Sequence, residues 1–467
     1  MSFSTYLSDR KDACQRLVTE LRRSFEYVSI LGTDVRSMNL QVNRRTSAVN
    51  EGGDAERGFV LKLYRDGLLY EYSTDTVDGD TKALAEHIRR SLTVDARCAK
   101  VTALHAAPAD EPLCRDFERP TDLDAYTEGE LLDEAKELRD RMLAHGERVL
   151  NAFVVLRTLH VSKLFVSEHR LLTQSYAWVN GILMVLYREG ERTVQTHEMA
   201  AAPTLREVTE RLPERVDVLL HKASCLTRAV PVTPGVYDVI TAPSITGLIA
   251  HEAFGHGVEM DMFVKDRALA KSYMGDYVAS PIVNMRDGAA ATVSAASYFF
   301  DDDGVLAHDT QIIKDGILVA GISDLVSAGV LGTEPTGNGR RESYKRKAYA
   351  RMTNTFFEAG HDRLEDMIAS IEHGYMIFET NNGMEDPKNW AIQCVAEYGI
   401  EIEHGKLTDR YVSPVVMSGY VPELLQSISM ISDTVEVIGA GSCGKGHKEW
   451  VRVSDGGPAL KVRVKLG

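Results

Sequence analysis

No stretch of eighteen apolar residues occurs in this 467-residue sequence, so no helix of the length a bilayer demands can be drawn. No early segment couples a basic opening to an apolar run, and the expectation is a protein neither secreted nor membrane-inserted. An excess of cations is missing as well: 53 Lys and Arg face 68 Asp and Glu, a formal charge of −15. Phosphate backbones are bound by clustered cations that release counterions, so this balance argues against a nucleic-acid partner. The six cysteines (Cys14, Cys98, Cys114, Cys225, Cys394, Cys443) form no Cys-x-x-Cys pair and no disulfide framework. A reducing, cytoplasmic setting fits them, most as small core residues. Internal repeats and low-complexity segments are also lacking.

What is present is a 44% hydrophobic chain, long enough for more than one core. "DACQRLVTELRRS" and "DTKALAEHIRRSL" carry apolar residues at helical spacing, and "TEGELLDEAKELRDRMLAHGERV" is a longer helix with an acidic start and a basic end. "GFVLKLYRDGLLYEYSTD" alternates and turns at Asp66-Gly67, a hairpin signature, and a strand pair runs through Lys163 to Val194. Helices and hairpins without a βαβ rhythm predict an α+β fold. Pro231, Pro234 and Pro243 place a domain boundary near residue 230, giving an α+β N-terminal domain, 1–228, and a β-rich C-terminal domain, 229–467. In the second, "DDDGV", "KDGIL" and "EHGKL" each read as a turn between strands.

The chemistry centres on "HEAFGH", His251 to His256, one residue longer than the H-E-x-x-H of many zinc proteases. On a regular helix, residues five apart diverge by about 140°. The preceding "TAPSITGLIA" supports a helix capped by Thr241 or Ala242 with Pro243 in its first turn. A π-bulge, or a helix end turning through Gly255, would bring His256 back beside His251. A catalytic site then needs a third protein ligand and an open position. The Gly-rich "GAGSCGKGHKEW" offers two, Cys443 with Lys445 nearby to favour its thiolate, and His447. Glu252, directly after a ligand, points elsewhere and suits a base that deprotonates water activated by the metal. The matching reaction class is peptide or amide hydrolysis.

"HEAFGHGVEMD", "VASPIV" (278–283), "DDDG" (301–304), "PTGNGRRESY" (335–344), "RMTNTFFEAG" (351–360) and "GSCGKG" (441–446), in this order, resemble the TldD/PmbA family of metalloproteases. The resemblance spans about residue 234 to the end. It implies zinc held by His251, His256 and Cys443, with Glu252 as base, and cleavage of unfolded or extended peptides that enter a narrow channel. It also implies leader-peptide trimming or degradation of small unfolded proteins, and pairing with a PmbA-type (TldE) subunit that lacks the motif. Retention of the motif marks a TldD-type chain, working with such a partner or as a homodimer. Met260, where the family commonly has glycine, and "NNGMEDPKNW" (381–390), in place of a glycine-rich segment, depart from the pattern.

The basic strip "GRRESYKRKAYAR" (339–351) stands out on an acidic chain. It reads either as a solvated edge or ion-pair network, or as a clamp in which Arg340 and Arg341, with Asn338 in the Gly-rich turn before them, hold a substrate carboxylate. Two other functions compete with peptidase: a non-catalytic peptide-binding or regulatory subunit with a structural zinc, and a hydrolase of a non-peptide amide. Glu252 separates the first of these from an enzyme, since a structural site has no use for a base.

Overall fold

A computed structural model describes residues 2–92, 104, 107–445 and 449–467. The alternating apolar pattern of the first half builds an eight-stranded sheet. Its main order is Leu68–Thr74, Glu56–Arg65, Tyr27–Val42, Val149–Val166, Arg170–Glu189 and Leu113–Glu118, with Ser47–Glu51 and Arg192–Ala202 pairing alongside. All pairings are antiparallel except that of Leu113–Glu118 with Arg170–Glu189. Side chains alternate between faces. Ile30, Leu61, Leu63 and Leu164 bury against Leu17, Leu21 and Ile88 of the helices Lys11–Arg22 and Thr81–Ser91. On the other face Leu31, Val60, Phe165 and Leu172 pack against Phe300, Val305 and Leu325 from the second half. The helices Glu128–Leu143 and Leu205–Arg228 cover the remaining part. The α+β expectation is met.

The second half holds a barrel. Gly235–Thr241, Leu460–Leu466, Val415–Tyr420, Ala391–Glu403 and His373–Asp386 pair in that order, and the pairing of His373–Asp386 with both Ala391–Glu403 and Gly235–Thr241 closes the ring. Beside it lies a six-stranded sheet that includes Asn354–Phe357, Val451–Gly457 and Glu436–Cys443. Among the described residues no helix is long and apolar enough to cross a membrane.

Three expected turns are two-residue hairpins with both central residues at positive φ: Asp66-Gly67 (54°, 76°), Asp315-Gly316 (49°, 80°) and His404-Gly405 (49°, 74°). That backbone matches the right-handed twist of the strands it joins and favours Asp, Asn and Gly. "DDDGV" also turns, at Gly304 (φ 82°), but its carboxylates point into the protein. Asp301 Oδ1 accepts from the N–H groups of Asp303 and Val305, while Asp303 pairs with Lys62 and Asp302 with Lys163 of the N-terminal sheet. The helix Leu205–Arg228, which carries Pro213 inside it, has no counterpart among the sequence expectations.

Candidate metal centre

Pro243 opens the site helix in its first turn, where its missing N–H costs nothing, and the α-helix runs to Leu248. From Ile249 to Gly255 the chain is π-helical, and the N–H of His256 donates to the carbonyl of His251, five residues back. This is the inserted residue the spacing called for. It brings the imidazoles of His251 and His256 edge to face, with centroids 5.1 Å apart. Gly255 is itself helical (φ −62°), so its role is space rather than backbone freedom. A Cβ there would lie 2.1 Å from the Met352 sulfur. At Gly247 a Cβ would lie 2.5 Å from the backbone nitrogen of Gly456, so this glycine lets the helix press onto the strand Val451–Gly457.

The paired strand Glu436–Cys443 delivers the cysteine. Cys443 Sγ is 3.2 Å from His256 Nε2, and the ligand atoms of His251, His256 and Cys443 all lie within 4.8 Å of one another. His251 Nδ1 is buried with no hydrogen-bond partner among the described residues. An orphaned imidazole nitrogen, a second imidazole and a thiol form the donor set that a zinc ion takes. His447, the rival ligand, lies outside the described residues, as does Cys98.

Electrostatics agree with this donor set. Burial pushes the Cys443 thiol up, but His251 and His256 beside it more than reverse this, and its pKa falls to about 5. Burial likewise opposes charge on His256, yet Glu259 and the Cys443 thiolate outweigh it and raise its pKa well above the usual value. His251 is raised too, by Cys443 against burial. Glu259 is 1% exposed and accounts for much of this balance. Its carboxylate faces His256 Nδ1 at 3.3 Å, Arg351 Nε at 3.2 Å and Lys445 Nζ at 3.0 Å. Burial alone would raise its pKa, but Lys445, His256 and Arg351 hold it well below the normal carboxylate range. A carboxylate on the far nitrogen of a ligating histidine fixes its tautomer and orientation. Arg351 also donates to the carbonyls of Cys443, at 2.9 Å, and of Glu449, tying both ligand-bearing segments together. Sequence reasoning missed Glu259 and placed Arg351 only in a basic strip. The available signal was a glutamate three residues beyond a histidine.

Glu252 is half-buried, and the strand His373–Asp386 crosses it so closely that a Cβ on Gly383 would lie 2.5 Å from its Cγ. The departing segment 381–390 therefore forms part of the site wall. Trp390 packs against Phe254 of the π-helix, with ring planes tilted by 36° and centroids 5.8 Å apart. Glu385 reaches the backbone of Gly257, and neither of its carboxyl oxygens, nor Trp390 Nε1, has a hydrogen-bond partner among the described residues. Burial drives the Glu385 pKa well up.

The three residues of the expected clamp separate. Asn338 is 1% exposed, and its amide donates to Asp287 Oδ1 (2.7 Å) and to the Arg351 carbonyl (3.1 Å). Arg341 is buried, ion-paired to Glu71 at 3.2 Å and bonded to the Arg346 carbonyl. Both hold loops in place and are not free to clamp a ligand. Arg340 differs: the residue is half-buried, and among the described residues its guanidinium donates to the Met352 carbonyl alone, at 2.6 Å. Most of the basic strip is thus an ion-pair network, completed by Arg351–Glu259.

Residues 234–465 match the family model described as the PmbA/TldA metallopeptidase C-terminal domain. The chain belongs to the TldD/PmbA metallopeptidase family. Among TldD/PmbA relatives, it is 35% identical over 235 residues to a protein of Haemophilus influenzae named metalloprotease TldD homolog, covering 50% of this chain and 48% of that one. It is 29% identical to a zinc metalloprotease TldD homolog of Saccharolobus solfataricus, covering 61% and 64%. The chain thus aligns with about half the length of the first relative and under two thirds of the second. Its fold is that of TldE from Thermococcus kodakarensis, with a TM-score of 0.74 at 19% identity over 97% of this chain and all of the other.

Proposed function

We propose that this chain is a zinc-dependent peptidase acting on unfolded or extended peptides, with an N-terminal domain through residue 228 and a catalytic domain from 229. The observation that carries the reading is the π-helical turn that gathers His251, His256 and Cys443 with the half-buried Glu252, which has no hydrogen bond or ion pair among the described residues. Its relatives named as metalloproteases, one of them a zinc metalloprotease, support it. His251, His256 and Cys443 would hold the ion. Bound zinc supplies Lewis-acid chemistry, polarising a carbonyl and acidifying water. Glu252 then takes the proton from the attacking water and returns it to the leaving amine. Glu259 keeps His256 oriented, and Arg351 keeps the Cys443 strand against the helix. An extended peptide presents backbone groups that a strand edge can pair, and folded proteins do not. A PmbA/TldE-type subunit, or a second copy, is the partner we propose.

The test is Glu252→Gln. The amide keeps the size of the side chain but cannot take a proton, so zinc content and fold should persist while peptide hydrolysis falls by about 10² or more. Near-normal turnover in the zinc-loaded variant would remove Glu252 from the chemistry. Absence of turnover in the parent, alone or with a TldE-type partner, would favour a structural zinc.

A further inference from the structure

Between the N-terminal sheet and the second half lies a cavity of about 520 Å3, lined by Tyr176, Tyr298, Arg340, Ser442 and Trp450 among others. Its cations are almost all neutralised from within. Lys163 pairs with Asp302, Arg341 with Glu71, Arg346 with Glu342 and Arg452 with Asp54. The lining acids are also engaged: Asp301 accepts three backbone N–H groups, Glu56 the N–H of Tyr344 and Glu342 that of Glu449. Arg340 is the exception, having no carboxylate within 4.0 Å among the described residues. One N–H reaches the Met352 carbonyl, and the guanidinium stands 5.6 Å from the ring centre of Tyr298. A guanidinium held at one corner and stacked keeps most of its planar fork available for a carboxylate.

The position of Arg340 connects it to the metal centre. Met352, whose carbonyl anchors Arg340, presses its sulfur against Gly255, immediately before His256. On the other wall Ser442 lines the cavity and the next residue is Cys443. We infer that Arg340 is a specificity-determining residue that binds a carboxylate of the peptide substrate, either its C-terminus or an Asp or Glu side chain, a few residues from the bond cut. This rests on the peptidase reading for the identity of the ligand, but the carboxylate preference itself is measurable without turnover.

The zinc-loaded Glu252→Gln protein is titrated with three peptides of one sequence: one with a free C-terminus and a single Glu, one with Glu replaced by Gln, and one with an amidated C-terminus. Removal of the carboxylate that Arg340 holds should weaken binding roughly tenfold or more, and the peptide affected identifies which carboxylate it is. Adding Arg340→Gln should produce the same loss for the parent peptide and abolish the difference between peptides. Arg340→Lys, which keeps the charge without the fork, should restore it only in part. Equal affinity for all three peptides overturns the proposal whether or not the Arg340 variants fold. So does an Arg340→Gln loss that is the same for charged and neutral peptides. Carboxylate-dependent binding with no cleavage by the unaltered protein, alone or with a TldE-type partner, would sink the peptidase reading and leave this site standing.

Discussion

At the scale of single residues, the site is organised around protons that a metal must displace. Without metal His256 keeps its proton to well above the usual imidazole range, because Glu259 and Cys443 outweigh burial. Zinc binds only the neutral ring, so between about pH 5 and the raised histidine values each unit of acidification should weaken binding roughly tenfold per proton displaced. His256 and His251 carry that dependence. The Cys443 thiol, lowered to about 5, is already ionised across this window and adds its own proton only below it. Competition with a chelator of known affinity across pH 5 to 8 should give a slope of one to two protons. A flat profile would show that the histidines are neutral before metal arrives.

At the scale of elements, the decisive one is a seven-residue π-helix whose existence depends on close packing. Gly255→Ala would set a methyl 2.1 Å from the Met352 sulfur and 3.1 Å from the Ala250 carbonyl, so the turn or the methionine must move. Zinc affinity should fall at least about tenfold, as when the support of a ligand is lost, and Gly255→Ala with Met352→Ala should recover part of it. Undiminished affinity in Gly255→Ala would mean that the turn survives without this contact. The need for such a turn was legible in the sequence, because His251 and His256 stand five apart and Pro243 fixes the helix start. The two-residue turns were legible as well, each announced by Asp-Gly or His-Gly. Glu259, Glu385 and the true contacts of Asn338 and Arg341 were not. They depend on which strand crosses the helix and on which carboxylate a long loop meets, and neither local propensity nor spacing encodes those meetings. The 24-residue helix Leu205–Arg228 shows the opposite case: packing along the sheet outweighs the local breaker Pro213 inside it.

At the scale of the whole molecule, the two halves interlock through polar as well as apolar contacts. The carboxylates of "DDDG" receive Lys62 and Lys163, Arg170 donates to the Gly304 carbonyl at 2.8 Å, and Trp178 Nε1 donates to that of Gly439, within the cysteine strand, at 2.7 Å. The barrel adds a constraint of chain order, since Leu460–Leu466 lies between Gly235–Thr241 and Val415–Tyr420. Removing residues 460–467 should therefore strip each neighbour of one of its two strand partners, open the ring and give a chain that holds no zinc by metal analysis, although all three proposed ligands remain. Stoichiometric zinc in that truncation would show that the metal centre forms without the closed ring. The same closure sets a timetable during synthesis. The ribosome makes His251 and His256 some two hundred residues before the strand that completes the ring, and Cys443 shortly before it. For nearly two hundred residues of synthesis the nascent chain therefore carries two of the three proposed ligands without the third, and zinc capture is expected only once the ring-closing strand has emerged.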